Sequence, residues 1–432
     1  MVLGQADRSQ TTGSPIDRAF LHSATMPLSF RHAVLPNGLT IIAEVDPAAH
    51  TAAAGFYVKT GARDEDASLM GVSHFLEHMM FKGTARRTAD EVNQHFDNIG
   101  ANYNAFTSHE MTAFWAHVLP EHLDEAEDIL ADILRPALRQ SDFDLEKNVI
   151  LEEIAMYADQ PFWVLYEQAM ERYYPDHPLR HRVLGTPETI SALPRDAMQR
   201  YFDDRYSPDN MVVALAGRLD FDARVASLER RCGSWRRTGA RREYRPIRFG
   251  EGALDRTSDK VNRHYLLMIA PAPSLRDDDR YAAMMLAQVL GDSEGSRLYW
   301  ALIETGLAEE AQAQYDGRDD TGELYVFATC SPEDAVEVER VVLKEVDGLV
   351  ASLTEDDLQR VRSKIATGVT VAGERPAGRM KRLGHMWTTQ GQYRSLEDEL
   401  ARINMVTLDD LRRVASKHPL TPRLTARLSP AG

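Results

Sequence analysis

Two histidines and a glutamate, His74, Glu77 and His78, fall within the stretch GVSHFLEHMMFKGT, residues 71–84. On a helix, residues three or four positions apart share a face, so these three side chains would project together. Leu69, Val72, Leu76, Met79 and Met80 make the neighbouring apolar stripe, which sets the polar trio against a core, where groups without partners are costly. Imidazoles at i and i+4 are the spacing from which one helix can ligate a zinc ion, and a carboxylate between them can hold the attacking water. The alternative is two partly exposed histidines at a domain seam, with Glu77 in a helix ion pair.

The elements around this segment alternate strands and helices. HAVLPNGLTIIAEV predicts a hairpin turning at Pro36-Asn37-Gly38, and HTAAAGFYVKTGARDE a strand running into a loop. Asn104 to Leu119 reads as one further strand, followed by an amphipathic helix in LPEHLDEAEDILADIL. From Arg236 to Ala253 the chain is rich in Arg and Gly without periodic apolar residues, which predicts a linker between two similar halves. In each half a strand gives way to a helix opening on Pro-Glu, at Pro120-Glu121 and Pro332-Glu333, consistent with a tandem repeat of one α+β unit. The counterpart of the histidine segment then falls near QVLGDSEGSRLYW, which has no histidine, so the first half alone carries the chemistry. The expected division is a disordered tail over 1–25, a catalytic unit over 26–235, a linker over 236–253 and a metal-free unit over 254–432.

Composition excludes several classes. The chain has 432 residues and a formal net charge of −16, with no basic block, which argues against a nucleic-acid partner. Its two cysteines, Cys232 and Cys330, form neither a disulfide framework nor a thiolate metal site. No apolar run reaches the ~20 residues of a membrane span, and the polar first 25 residues lack the apolar stretch of a secretory signal. The expected compartment is the cytoplasm, with the periplasm as the alternative. Acidity hints at basic peptides as partners, although net charge does not describe one surface.

HxxEH is the inverted zinc-peptidase signature. With LPNGLTIIAE, NAFTSHEMTAFWAHVLPE, EKNVILEEIAMYADQP, VLGTPETI and SPDNMVVALAG in the same order, the chain resembles the insulinase/pitrilysin class of zinc metallopeptidases, and within it the short two-domain subunits related to mitochondrial processing peptidase. The resemblance runs from about Leu28 to near the C-terminus. It implies an α+β fold of two homologous α/β-roll domains in tandem, each a mostly antiparallel sheet packed by helices, forming half of a clamshell chamber. It implies one zinc per chain, held by His74, His78 and Glu153, with Glu152 the rival for the third place. Glu146, seven residues before Glu153, becomes the carboxylate that orients a ligand or tunes the water, on a helix that Ser141 could cap. Three protein ligands leave one position for a water of lowered pKa, whose proton Glu77 takes and passes to the leaving amine. Asn104, Ala105, Phe106 and Thr107 resemble the edge strand along which an extended peptide adds as a further strand.

The second half departs from that pattern. Active single-chain relatives carry an Arg and a Tyr seven apart that grip substrate and carbonyl oxygen. Here the segment is SRLYWALIETGLAEEA, with Ile303 near the Arg position and Glu309 at the Tyr position. The expected reading is therefore the zinc-bearing subunit of a heterodimer whose homologous partner supplies the Arg/Tyr pair. A homodimer using another donor is the alternative, and a non-catalytic scaffold subunit of the same fold is the rival from another class. Five other histidines, His109, His117, His122, His177 and His181, read as hydrogen-bonded surface or strand residues.

Overall fold

A computed structural model describes residues 28–421 and 423–431, so the tail expected over 1–25 lies outside the described residues. Strands β1 (Ser29–Val34) and β2 (Thr40–Val45) form the expected hairpin; Asn37 accepts the Leu39 amide at 3.2 Å, and Gly38 takes φ +92°. Then come β3 (Ala52–Val58), α1 (Val72–Met80), α2 (Ala89–Asn98), β4 (Asn102–Thr107), β5 (Thr112–Val118), α3 (Leu123–Ile133), α4 (Gln140–Tyr157), α5 (Pro161–Tyr173) and β6 (Met211–Gly217). The sheet order is β1-β2-β6-β3-β5-β4, which leaves β4 as an edge. β3 is buried along its whole length because it sits mid-sheet with both faces covered, which explains its unbroken apolar run.

The single strand expected over Asn104 to Leu119 is two. Ser108 turns the chain: its amide donates to Met111 O at 2.8 Å, and its hydroxyl accepts the Glu110 and Met111 amides at 3.2 and 3.1 Å. A serine hydroxyl makes this turn without Gly or Pro, and the flanking aromatic and β-branched residues hide it in the sequence.

The second sheet takes β7 (Gly252–Ser258), β8 (His264–Ala272), β9 (Glu310–Gly317), β10 (Gly322–Cys330) and β11 (Leu424–Pro430), in the order β7-β11-β8-β10-β9. Strand for strand it repeats β2-β6-β3-β5-β4, down to the parallel pair at one end, β7 with β11 matching β2 with β6. The counterpart of α1 is the Arg280–Gly291 helix, which begins earlier than the QVLGDSEGSRLYW segment and likewise contains no histidine. Residues 236–251, between the sheets, have no regular structure, yet the Arg242 side chain there is only 2% exposed and pairs with Asp64 at 2.6 Å and Asp319 at 2.7 Å, one carboxylate from each half.

Two helices cross between the halves. One face of the first sheet packs its own Phe75, Leu76, Phe114 and Leu130, while the other, with Ile42, Tyr57 and Trp115, is covered by Met380 and Leu383 of the Pro376–Gln390 helix. Gly384 of that helix touches Tyr57 so closely that a Cβ would lie 2.1 Å from the ring. Reciprocally, Leu165, Met170 and Tyr173 of α5 pack on Leu267, Ile269 and Phe327 of the second sheet. Each fully buried Leu, Ile or Phe contributes about 1.5–3 kcal/mol, so these crossed contacts are a main part of what joins the halves. No helix among the described residues is long and apolar enough to cross a membrane.

Candidate metal centre

The helix carrying the trio begins at Gly71, whose φ of +93° and close contact with Leu184 O, 2.6 Å from where a Cβ would be, admit only glycine. Its free amides are held by a residue the sequence reading missed: buried Glu65 accepts from Gly71 N and Ser73 N, each at 2.8 Å. Burial pushes this carboxyl up to about 8, against those two hydrogen bonds. Ser73 Oγ lies 2.8 Å from Tyr201 Oη, and Phe75 stacks on Phe143 of α4 with centroids 4.7 Å apart. α1 is thereby fixed at its start and clamped to the helix that carries the distant glutamates.

Ser141 does not cap α4. The helix starts at Gln140, two residues earlier than a Ser141 cap would set, after extended Arg139, and Arg139 instead ties its entrance to the loop following α1 by donating to Thr84 O at 2.8 Å. Seven residues apart on α4, Glu146 and Glu153 both face α1, whereas Glu152 is exposed. Glu153 Oε2 lies 3.8 Å from His74 Nε2 and 3.6 Å from His78 Nε2, and one donor atom from each of the three residues falls within 4.8 Å of the others. These separations are too long for hydrogen bonds, and they are near the roughly 3.4 Å between ligands placed ~2.0–2.1 Å from a tetrahedral ion.

Glu146 sits behind His78, with Oε1 2.9 Å from Nδ1 and Oε2 2.6 Å from Lys82 Nζ. A carboxylate only accepts, so His78 Nδ1 carries the hydrogen and its Nε2 lone pair faces Glu153. Burial raises the proton affinity of Glu146, but the hydrogen bonds from His78 and Lys82 outweigh it and hold the carboxyl below its usual range. Burial, reinforced by the charge of His78, pushes His74 down to about 3, so this imidazole is neutral, as a ligand must be. Burial also disfavours charge on His78, yet the hydrogen bond and charge of Glu146, with Glu153 and Glu77, raise its proton affinity. The donor set thus fits a divalent cation: a neutral His74 imidazole, a His78 Nε2 at which a cation would take the place of a proton, the Glu153 carboxylate oxygen and surplus negative charge.

Glu77 projects beside this set, its Oε2 accepting from Thr107 Oγ1 at 2.6 Å. Burial raises the Glu77 carboxyl above its usual range, moderated by that hydrogen bond. Thr107, expected only as a substrate contact, therefore links the edge strand to the acid–base residue. Along β4, Asn104 and Phe106 are exposed and Ala105 half-buried; Asn104 Oδ1 takes the Ala105 amide at 2.8 Å. The loop histidines are not on the surface: His177 and His181 are buried, bonded to Leu179 N at 3.2 Å and Ala62 O at 3.1 Å. His109 receives a hydrogen bond from Arg318 of the second half at 3.2 Å. Ile303 packs on the second core, and Glu309 pairs with Arg263 at 2.6 Å. Lys82 and Glu65 went unread because an isolated Lys or Glu near a turn carries no spacing signal.

Comparison with known proteins gives two family-model matches: Insulinase (Peptidase family M16) over residues 40–187, and Peptidase M16 inactive domain over residues 192–365. A Mycobacterium tuberculosis protein named "uncharacterized zinc protease" is 35% identical over 416 residues, covering 94% of each chain. Among solved structures, a protease from Helicobacter pylori shares the fold with a TM-score of 0.87 at 19% identity, covering 93% of this chain and 100% of its own. A chain in Complex III2 from Candida albicans shares it with a TM-score of 0.80 at 17% identity, covering 92% and 95%.

Proposed function

The chain belongs to peptidase family M16, the insulinase family, and we propose that it is a zinc-dependent endopeptidase acting on peptides or unfolded segments, with one zinc per chain held by His74, His78 and Glu153. The observation that carries this reading is the convergence of those donor atoms within 4.8 Å, with Glu146 fixing the His78 tautomer and Glu77 beside them. Bound zinc supplies Lewis acidity, lowering the pKa of a water at an open position and polarising a carbonyl. Glu77 takes the proton of the attacking water and delivers it to the leaving amine, and Thr107 holds the carboxylate oriented for both transfers. Glu146 keeps His78 aimed. The free edge of β4, over Asn104 to Thr107, aligns an extended peptide by backbone hydrogen bonds, which admits varied sequences.

Ile303 packs on the second core and Glu309 pairs with Arg263, so neither position offers the Arg or Tyr donor of the active single-chain relatives, and a second donor to the carbonyl oxygen beside zinc is supplied by a partner chain. We take this chain to be the zinc-bearing partner of a homologous subunit carrying an Arg/Tyr pair, with a homodimer as the alternative. Two measurements test the reading. Metal analysis of protein purified without chelator should find one zinc per chain, and Glu77→Gln should retain it while turnover falls roughly 10²–10⁴-fold. A metal-free chain points to the scaffold role instead, and a zinc-loaded Glu77→Gln protein of unchanged activity removes Glu77 from the chemistry. Adding a homologous subunit that has the Arg/Tyr pair but lacks HxxEH should raise activity; equal rates with and without it end the heterodimer.

A further inference from the structure

A cavity of about 430 Å³, lined by none of the metal ligands, opens where three connecting segments meet. Arg63 to Ala67 precede α1, Pro175, His177, Arg180 and His181 follow α5, and Glu243 and Arg245 belong to the stretch between the sheets. Arg205, the last residue of the Arg195–Arg205 helix, closes the wall. The adjoining residues 236–248 hold six arginines and one acid, in a chain whose formal net charge is −16. Arg236 and Arg241 there are exposed and make no ion pair among the described residues, so the overall acidity does not describe this side of the molecule.

The acidic groups in the wall are committed. Asp64 receives Arg242 through Nε and Nη2, at 2.9 and 2.6 Å, and Glu65 receives the Gly71 and Ser73 amides. Asp176 pairs with Arg248 at 3.2 Å, Glu243 with Arg245 at 2.8 Å, and exposed Asp66 accepts the Ser68 amide at 2.9 Å. Several donors are not committed. Arg63 is matched by Glu110 and by Asp320 at 2.8 Å, but Arg180 makes no ion pair among the described residues and spends one nitrogen on Pro175 O at 2.6 Å. Arg205 donates to the carbonyls of Arg241 and Asp64 at 3.0 and 3.5 Å and approaches a carboxylate, Asp204, only at 3.5 Å. Buried His177, 3% exposed, accepts the Leu179 amide at Nδ1, so its hydrogen sits on Nε2, which has no partner among the described residues. Burial and the charges of Arg63 and Arg245 outweigh that of Asp320 and push this ring down to about 4, which makes it a neutral donor near pH 7. A buried donor without an acceptor is costly, and an incoming oxygen removes that cost.

We propose that this cavity binds a small organic oxyanion, a carboxylate or phosphate, through His177 Nε2–H and the guanidinium groups of Arg180 and Arg205. A guanidinium fork matches two oxygens of such a group, and charge-assisted hydrogen bonds are the stronger kind. At about 430 Å³ the cavity has the size of a small-molecule site and exceeds the anion itself, so the oxyanion is the head of a larger molecule. The Glu243–Arg245 pair is exposed, 73% and 57% at the side chains, and so weakly held that Arg245 can turn to the ligand as a third cation. Bound there, the molecule ties the loop ahead of α1, which carries Glu65, to the joint between the halves. This is a second ligand site, separate from the reaction proposed above.

The test is isothermal titration of the full chain with sodium phosphate or sodium succinate, at an ionic strength held constant with sodium chloride. One saturable site per chain is expected, with a dissociation constant of about 1 mM or tighter, and the same affinity with and without zinc. Arg180→Ala and Arg205→Ala should each weaken it roughly 10-fold or more. Arg340→Ala, at an exposed position in the second half, should leave it unchanged. His177→Phe keeps a ring without Nε2–H and should weaken it as the arginine variants do; thermal melts without anion establish that each variant is folded, and the arginine variants decide should this one fail to fold. Phosphate alone, succinate alone or both binding in this way supports the proposal and identifies the head group. No saturable binding of either, binding that requires zinc, or an affinity that survives both arginine substitutions overturns it.

Discussion

Replacing Glu146 by alanine should weaken zinc binding roughly 10- to 100-fold, about 1.4–2.7 kcal/mol, although none of the three ligating atoms is touched. The magnitude follows from what the buried carboxylate holds: the His78 Nδ1–H at 2.9 Å, which sets ring orientation and Nε2 basicity, and Lys82 at 2.6 Å. A second effect has the opposite sign. Glu146 raises the proton affinity of His78, so its removal also reduces competition from protons for Nε2. The full loss should therefore appear only at pH well above the imidazole range, and part of it should vanish on acidification. Glu146→Gln retains a carbonyl acceptor for Nδ1–H and should fall between wild type and alanine. Affinities are measured by competition with a chromophoric chelator at several pH values, with thermal melts of the metal-free proteins to establish that the fold is intact. Wild-type affinity for Glu146→Ala at alkaline pH, or glutamine as damaging as alanine, would refute the argument that His78 is held through its distal nitrogen.

Glu153→Ala should weaken zinc more than Glu146→Ala does, while Glu152→Ala, at an exposed position, should leave the same chelator titration unchanged; equal losses at 152 and 153 would reopen the identity of the third ligand. Thr107→Val removes the hydrogen bond that lowers the Glu77 carboxyl, so its pKa rises and the acid limb of the kcat/KM profile should move to higher pH, with little change on the alkaline side; an unmoved limb separates Thr107 from the base. Arg242→Ala leaves nearly inaccessible Asp64 without its cation, while Asp319 keeps Lys59 at 3.3 Å and Arg276 at 3.5 Å, and should cost about 3–5 kcal/mol in urea unfolding; a loss under about 1 kcal/mol would mean that water and the remaining cations take over the role of the guanidinium.

What the sequence reveals here is set by range. His74, Glu77 and His78 are legible because helix periodicity is local, and one segment brings them together unaided. Glu153 lies 75 residues beyond His78, and only resemblance, not spacing, singled it out from Glu152; what places it is the clamp of Phe75 on Phe143 and the docking of Arg139 on Thr84, contacts between elements that no local pattern encodes. The hairpin at Asn37-Gly38 was readable from its turn residues. The break at Ser108 was not, since a hydroxyl replaced the usual glycine, and the start of α4 was misjudged because a docked arginine took the place of a serine cap. His177 and His181 read as surface residues because polar loops usually are, whereas here single backbone partners satisfy them within the packed loop.

Amphipathicity in α5 and in the Pro376–Gln390 helix states that each needs an apolar surface, not whose. The two occupy equivalent places in the repeated unit, and each dries the sheet of the other. A gene severed within residues 236–251 would therefore yield two fragments that each lack their own lid and carry a spare one, insoluble apart and complementary when co-expressed. A single copy of the repeat could satisfy itself only by trading that helix with a twin, so the covalent tandem behaves as an exchanged dimer written into one polypeptide.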